Sequence, residues 1–154
     1  MKHKATTMIL GFCLVLSCGL ASAQGRALQA TYLDDGYDNS GLSIPAETCT
    51  AVGPAIQVTC PGSHTCTVQA LHSIQFGGGS SSGNEVAIDF ILDGTLLGLA
   101  QEVGEAPTDG FAVFSAQEQL SGVSLGSHTV QTAVCSSDGT AVYNYDTTYN
   151  VYKP

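Results

Sequence analysis

Apolar residues recur at every second position along most of this chain, and clusters of glycine, aspartate and serine separate the stretches that do so. Period two is the spacing of a half-buried strand, whereas an amphipathic helix repeats near 3.6. No segment carries the helical spacing. The longest early strand is predicted over residues 65–76, with Val68, Ala70, His72, Ile74 and Phe76 on one face and Thr67, Gln69, Ser73 and Gln75 on the other. Glu85–Leu92 repeats the pattern, with Val86, Ile88, Phe90 and Leu92 inward and Glu85, Ala87 and Asp89 outward. Asp93-Gly94 is a strong hairpin signal, and residues 95–100 return from it. In the last strand, 140–152, Ala141, Tyr143, Tyr145, Thr147, Tyr149 and Val151 share the inner face.

The remaining segments read as shorter pieces. A first strand over 29–33 leads into a polar loop over 34–41, and strands over 48–52 and 55–60 join at Gly53-Pro54. Residues 77–83 are a glycine- and serine-rich loop, 101–110 is a polar loop, and 111–114 with 117–120 make a broken strand. Residues 127–135 and 140–152 read as a final hairpin around Asp138-Gly139. The expected fold is therefore all-β: one antiparallel β-sandwich, immunoglobulin-like or jelly-roll, of about eight to ten strands.

Residues 1–23 change the cellular picture. Lys2 and Lys4 form a basic start, residues 8–16 an apolar run too short to span a bilayer, and Ala21-Ser22-Ala23 a small-x-small cleavage pattern. The reading is a signal peptide over 1–23 and a single exported domain over 24–154. Val15-Leu16-Ser17-Cys18 also resembles a lipobox, which would make Cys18 a lipidated N-terminus and anchor the protein to the outer face of a membrane. Leu16 is bulky for that motif, so cleavage before Gln24 is preferred, giving a secreted or periplasmic protein.

Cleavage would remove Lys2 and Lys4 and take the formal charge from −9 to −11, leaving Arg26 and Lys153 as the fixed cations. So acidic a chain has no basic patch for nucleic acid or for an anionic membrane surface. The expected partner is an extracellular protein or glycan. No cofactor and no transmembrane segment is expected in the mature chain. Cys49, Cys60, Cys66 and Cys135 are an even set in an exported small domain, which points to two disulfides. Cys60–Cys66 fits the Cys-Pro-Gly-Ser-His-Thr-Cys turn and leaves Cys49–Cys135. Four cysteines allow three pairings, and Cys-x5-Cys is wide for a zinc knuckle.

Candidate chemistry is sparse. Gly122-Val123-Ser124-Leu125-Gly126 matches the Gly-x-Ser-x-Gly nucleophile elbow with His128 nearby, which makes Ser124 and His128 the catalytic candidates. Such an elbow belongs on a strand-to-helix turn, and here a strand follows. The dull account is a glycine-rich turn. A carboxylate pair drawn from Glu85, Asp89 and Asp93 is a further hydrolase candidate, although outward charges on a strand are usually solvated. Asp34, Asp35, Asp38 and Asn39 are candidate calcium ligands for an adhesion or lectin-like domain, but their spacing misses the EF-hand pattern and aspartate favours turns for its own sake. His64, His72 and His128 form no His-x-His pair, so a transition-metal site is not expected. The tyrosines near the C-terminus fall on the inner register, where packing explains them more simply than sugar stacking.

Asp93-Gly94-Thr95 and Gly126-Ser127-His128-Thr129-Val130-Gln131 resemble segments of jelly-roll and immunoglobulin-like domains of secreted and phage-tail proteins. The resemblance implies a sandwich fold and carries over no catalytic residue. The expectation is an exported, non-enzymatic binding or structural module. A secreted hydrolase and a calcium-dependent domain stand as the alternatives.

Overall fold

A computed structural model describes residues 26–79 and 82–153, without the side chains of residues 37–39. The expected leader over 1–23 and Cys18 lie outside the described residues. Among the described residues nine strands follow in order: β1 Ala27–Ile44, β2 Thr48–Cys60, β3 Cys66–Gly77, β4 Glu85–Leu92, β5 Thr95–Leu96, β6 Gln101–Glu105, β7 Phe111–Val123, β8 Gly126–Ser136 and β9 Thr140–Lys153. They form two antiparallel sheets. The first has the order β1-β9-β3-β7, and the second the order β2-β8-β4-β5 with β6 also pairing β4. Both expected disulfides are present, Cys49–Cys135 and Cys60–Cys66.

The connectivity decides between the two expected sandwiches. From β1 to β4 and from β6 to β9 the chain changes sheet at every connection, and β4–β5 is the one consecutive pair that forms a hairpin. An immunoglobulin-like sandwich pairs consecutive strands within a sheet, whereas this alternation of early and late strands is a jelly roll. The β8–β9 hairpin expected from the sequence is therefore corrected: those strands lie in different sheets. Cys60–Cys66 closes the crossing from β2 to β3, and Cys49 stands directly opposite Cys135 on β8.

The inner faces follow the alternation on the central strands. Val68, Ala70, Ile74 and Phe76 of β3 and Val86, Ile88 and Phe90 of β4 are all buried. Each large one contributes about 1.5–3 kcal/mol by leaving water. Burial is split into two apolar clusters. One gathers Val58, Val68, Phe90, Val130 and Val151, the other Ile44, Val52, Ile74, Phe76, Ile88 and Val134.

Five other readings are corrected. The stretch 34–41 is not a loop, because β1 runs through it and pairs with β9 from Leu33↔Thr148 to Tyr37↔Asn144 before a bulge of 38–41. β2 is one strand with a bulge at Gly53, and β7 is one unbroken strand, since β3 pairs along its whole length. Residues 101–105 form β6 rather than loop. In β9 an irregularity at Tyr143 shifts the register between Asn144 and Val142 and reverses the alternation. Val142, not Ala141 or Tyr143, is therefore buried, while Thr147, Tyr149 and Val151 keep the expected inward side.

Candidate functional site

The crossing from β7 to β8 takes two residues, Ser124 and Leu125, so β8 begins almost where β7 ends. That short span lays the serine beside the start of β8. Ser124 Oγ lies 3.3 Å from His128 Nε2, and His128 Nδ1 lies 2.7 Å from Asp93 Oδ2. The sequence named Ser124 and His128. Asp93 it named only as a turn residue and as one of three carboxylates, and the fold brings it behind the histidine.

Two further contacts define what this trio does. His128 Nε2 is 3.0 Å from the carbonyl oxygen of Ser124, closer than the hydroxyl. Asp93 is tied down as well: its backbone N–H donates to Thr129 O at 2.8 Å, and its Oδ1 accepts from Thr129 N–H at 2.8 Å. Asp93 holds φ 49° and Gly94 φ 77°, the positive angles of a primed hairpin turn. Asp93 thus serves the turn and extends the β4–β8 pairing with its side chain. The hydrogen bond that His128 donates to Asp93 raises the pKa of His128 above its ordinary 6.5, and the Ser124 carbonyl reinforces this. The same bond, then that from Thr129 N–H, lowers Asp93 below its ordinary 3.8. Acceptors facing both ring nitrogens favour the imidazolium form of His128.

The other carboxylates of the expected pair go elsewhere. Asp89, expected outward and solvated, is buried, and its Oδ1 accepts from Leu99 N–H at 3.1 Å and from Phe90 N–H. It fixes the segment between β5 and β6. Glu85 is exposed at the start of β4. Of the calcium candidates, Asp34 is buried and Asp35 exposed, because neighbours on a strand point to opposite faces. The side chains of Asp38 and Asn39 lie outside the described residues. Among the described residues no group of three His, Cys, Asp or Glu could hold a metal ion. His64 is exposed in the turn between β2 and β3.

The interior holds a second polar group, which sequence reasoning largely missed. His72 of β3 is buried, and its Nδ1 lies 3.1 Å from Thr147 Oγ1 and 3.4 Å from Thr132 Oγ1. Thr132 Oγ1 in turn lies 2.8 Å from the Tyr149 hydroxyl. Burial pushes that phenol well above its ordinary value. On the other side, His72 Nε2 stands 3.5 Å from Glu118 Oε2, which is ion-pair range but long for a hydrogen bond. Glu118 projects inward from β7 with a side chain 8% exposed, and neither carboxylate oxygen has a hydrogen-bond partner.

Glu118 also lines a cavity of about 420 Å³ between β7 and the β5–β6 break, together with Phe90, Leu99, Ala100, Gln101 and Leu120. A smaller cavity of about 260 Å³ lies beside Tyr145, Gly36 and Gly53. There the Tyr145 hydroxyl donates to the Asp34 carboxyl. Burial, then the neighbouring Asp35, raises the Asp34 pKa above 3.8, against the lowering effect of that bond.

No family model matches this chain, and no curated protein does. Its fold is similar to structures of infectious bursal disease virus. The Gx strain structure aligns at 11% identity and TM-score 0.44, over 80% of this chain and 32% of the other. The Gt strain structure aligns at 11% identity and TM-score 0.41, over 80% of this chain and 37% of the other. The chain therefore spans about a third of the length of these structures.

Proposed function

We propose that this chain is an exported, non-catalytic jelly-roll module that binds a ligand through its sandwich interior. The observation that carries the reading is the pairing of His128 Nε2 with the Ser124 carbonyl oxygen at 3.0 Å. That contact supports an imidazole that donates from both nitrogens and fastens two turns together rather than serving as a base for Ser124. Export is supported by the two disulfides, which persist in oxidising compartments. Cleavage before Gln24 is the form of export this reading takes, and intact mass separates it from an acylated Cys18.

One observation favours the hydrolase instead: Ser124 Oγ, His128 and Asp93 are in line within hydrogen-bond reach. A fluorophosphonate probe decides between the two. A non-catalytic module stays unlabelled at Ser124 over hours. Stoichiometric phosphonylation of Ser124 that disappears in His128→Gln would establish a serine hydrolase and end the module reading.

A further inference from the structure

We propose that the cavity between β7 and the β5–β6 break binds a small organic cation, an ammonium or guanidinium on an apolar body, with Glu118 as its counter-charge. The inference rests on the binding-module reading and names its ligand class. It starts from an electrostatic deficit. A buried carboxylate is costly unless it is paired and hydrogen-bonded. Glu118 offers about four lone-pair sites, and none is taken by a hydrogen bond within the protein.

The chain has little with which to fill them. Among the described residues the fixed cations are Arg26 and Lys153. Arg26 is exposed ahead of β1, and the Lys153 ammonium packs over Gly62. Neither lines the cavity. His72 approaches from behind with one ring nitrogen only, its other nitrogen being occupied by the threonine hydroxyls. The imidazole stands in ion-pair range of one carboxylate oxygen, and both oxygens remain without a hydrogen bond in a residue that lines the cavity.

The walls fit such a ligand. Phe90, Leu99 and Leu120 supply apolar surface, and Gln101 stands at the exposed rim. A volume of about 420 Å³ lies within the range of small-molecule sites, roughly 300–1,000 Å³. The wall at Leu99 is fixed in advance, since Asp89 Oδ1 accepts its backbone N–H. Asp89 is thereby satisfied, and Glu118 is the acid left for the ligand. A metal ion fits less well: it needs several protein ligands, and no third His, Cys, Asp or Glu joins Glu118 and His72 among the described residues.

The test is calorimetric titration of the full exported chain with benzylamine, benzylguanidine and the neutral isostere benzyl alcohol. At least one of the two cations should bind saturably, and benzyl alcohol about tenfold or more weaker, the difference expected of a charge-assisted contact. Glu118→Gln keeps the shape and should erase that preference. Ala100→Trp, at the exposed rim, should block the cation without touching the acid, which keeps the test valid if the first variant does not fold. Equal affinity for amine and alcohol, an unchanged preference in Glu118→Gln, unchanged binding in Ala100→Trp, or no binding of either cation would overturn the proposal. Benzyl alcohol binding alone would refute the ligand class and leave the module reading standing. Only labelling of Ser124 would remove that reading.

Discussion

His128 turns one ring nitrogen toward both the carbonyl oxygen and the hydroxyl of Ser124, at 3.0 Å and 3.3 Å. The carbonyl can only accept, so this contact favours a proton on Nε2, and the Asp93 carboxylate favours one on Nδ1. The side chain is 11% exposed and that of Asp93 52%, so the pair sits at the rim of the sandwich. It joins the β4–β5 turn to the β7–β8 turn, which come from different sheets in part.

This fastener has a defined pH window. His128 is raised, so its contribution to stability is complete below pH 6.5 and is lost as pH rises through the higher folded value. Asp93 is lowered, so its contribution is complete above pH 3.8 and is lost as pH falls through the lower folded value. The clamp is therefore strongest between these two ordinary values. Melting temperature followed from pH 4 to 9 should decline on the alkaline side of 6.5 in the native chain, and Asp93→Asn should remove that part of the decline. A His128 ring resonance titrating below 6.5 would contradict the geometry.

Asp34 gives the opposite sign. Its folded pKa is raised by burial, so the folded state holds the proton more tightly and ionisation at neutral pH works against folding. Asp34→Asn keeps a polar group near Tyr145 and should raise the melting temperature at pH 7 by about 2–4 °C. The gain should vanish at pH 3. A loss of stability at pH 7 would show that the ionised form is needed.

Much of this architecture is legible along the chain, and the parts that are not share a cause. β3, β4 and the Asp93-Gly94 turn follow from alternation and turn chemistry, because each is a central strand or a tight local link. β1 does not, since Asp34, Asp35 and Gly36 favour turns locally and become strand only because β9 completes their ladder. The phase of β9 is lost at Tyr143, where a one-residue irregularity reverses every side chain before it. Glu118 hides in the polar run Gln117-Glu118-Gln119. The parity of Phe114, Ala116, Glu118 and Leu120 is the signal that puts it inside. Asp93 reaches His128 through a separation of 35 residues, which no local pattern encodes.

Gly53 is a position where the backbone itself is constrained. It holds φ 73°, and a Cβ there would lie 2.5 Å from Asp34 Oδ2 and 2.7 Å from the Tyr145 hydroxyl. Gly53→Ala combines left-handed strain with displacement of a buried acid and should cost about 2 kcal/mol or more. Gly122 has a similar φ of 78° but open space around it, so Gly122→Ala should cost only the backbone term, about 1 kcal/mol. Urea unfolding of the two variants side by side checks the order.

The disulfides differ in the length of chain they close. Cys49 and Cys135 are 86 residues apart and Cys60 and Cys66 only 6. By chain entropy the first is worth about 4–5 kcal/mol and the second about 2. Removing the Cys49–Cys135 pair by double substitution to serine should therefore lower the urea midpoint roughly twice as far as removing Cys60–Cys66.

The pairing of His72 with Glu118 supplies the last expectation. Removing the imidazole alone, as in His72→Leu, leaves an acid whose one nearby partner at ion-pair distance is gone. It also leaves Thr132 and Thr147 facing an apolar group. Such a change should cost about 3–5 kcal/mol, the range for breaking a buried pair on one side. His72→Leu with Glu118→Leu removes both partners and should recover most of that loss, since an apolar replacement needs no compensation. Thermal unfolding of the two single variants and the double variant gives the coupling directly. If the double variant falls by the sum of the singles, the two side chains do not act on each other. Glu118 would then be an isolated buried acid with no positioning from His72.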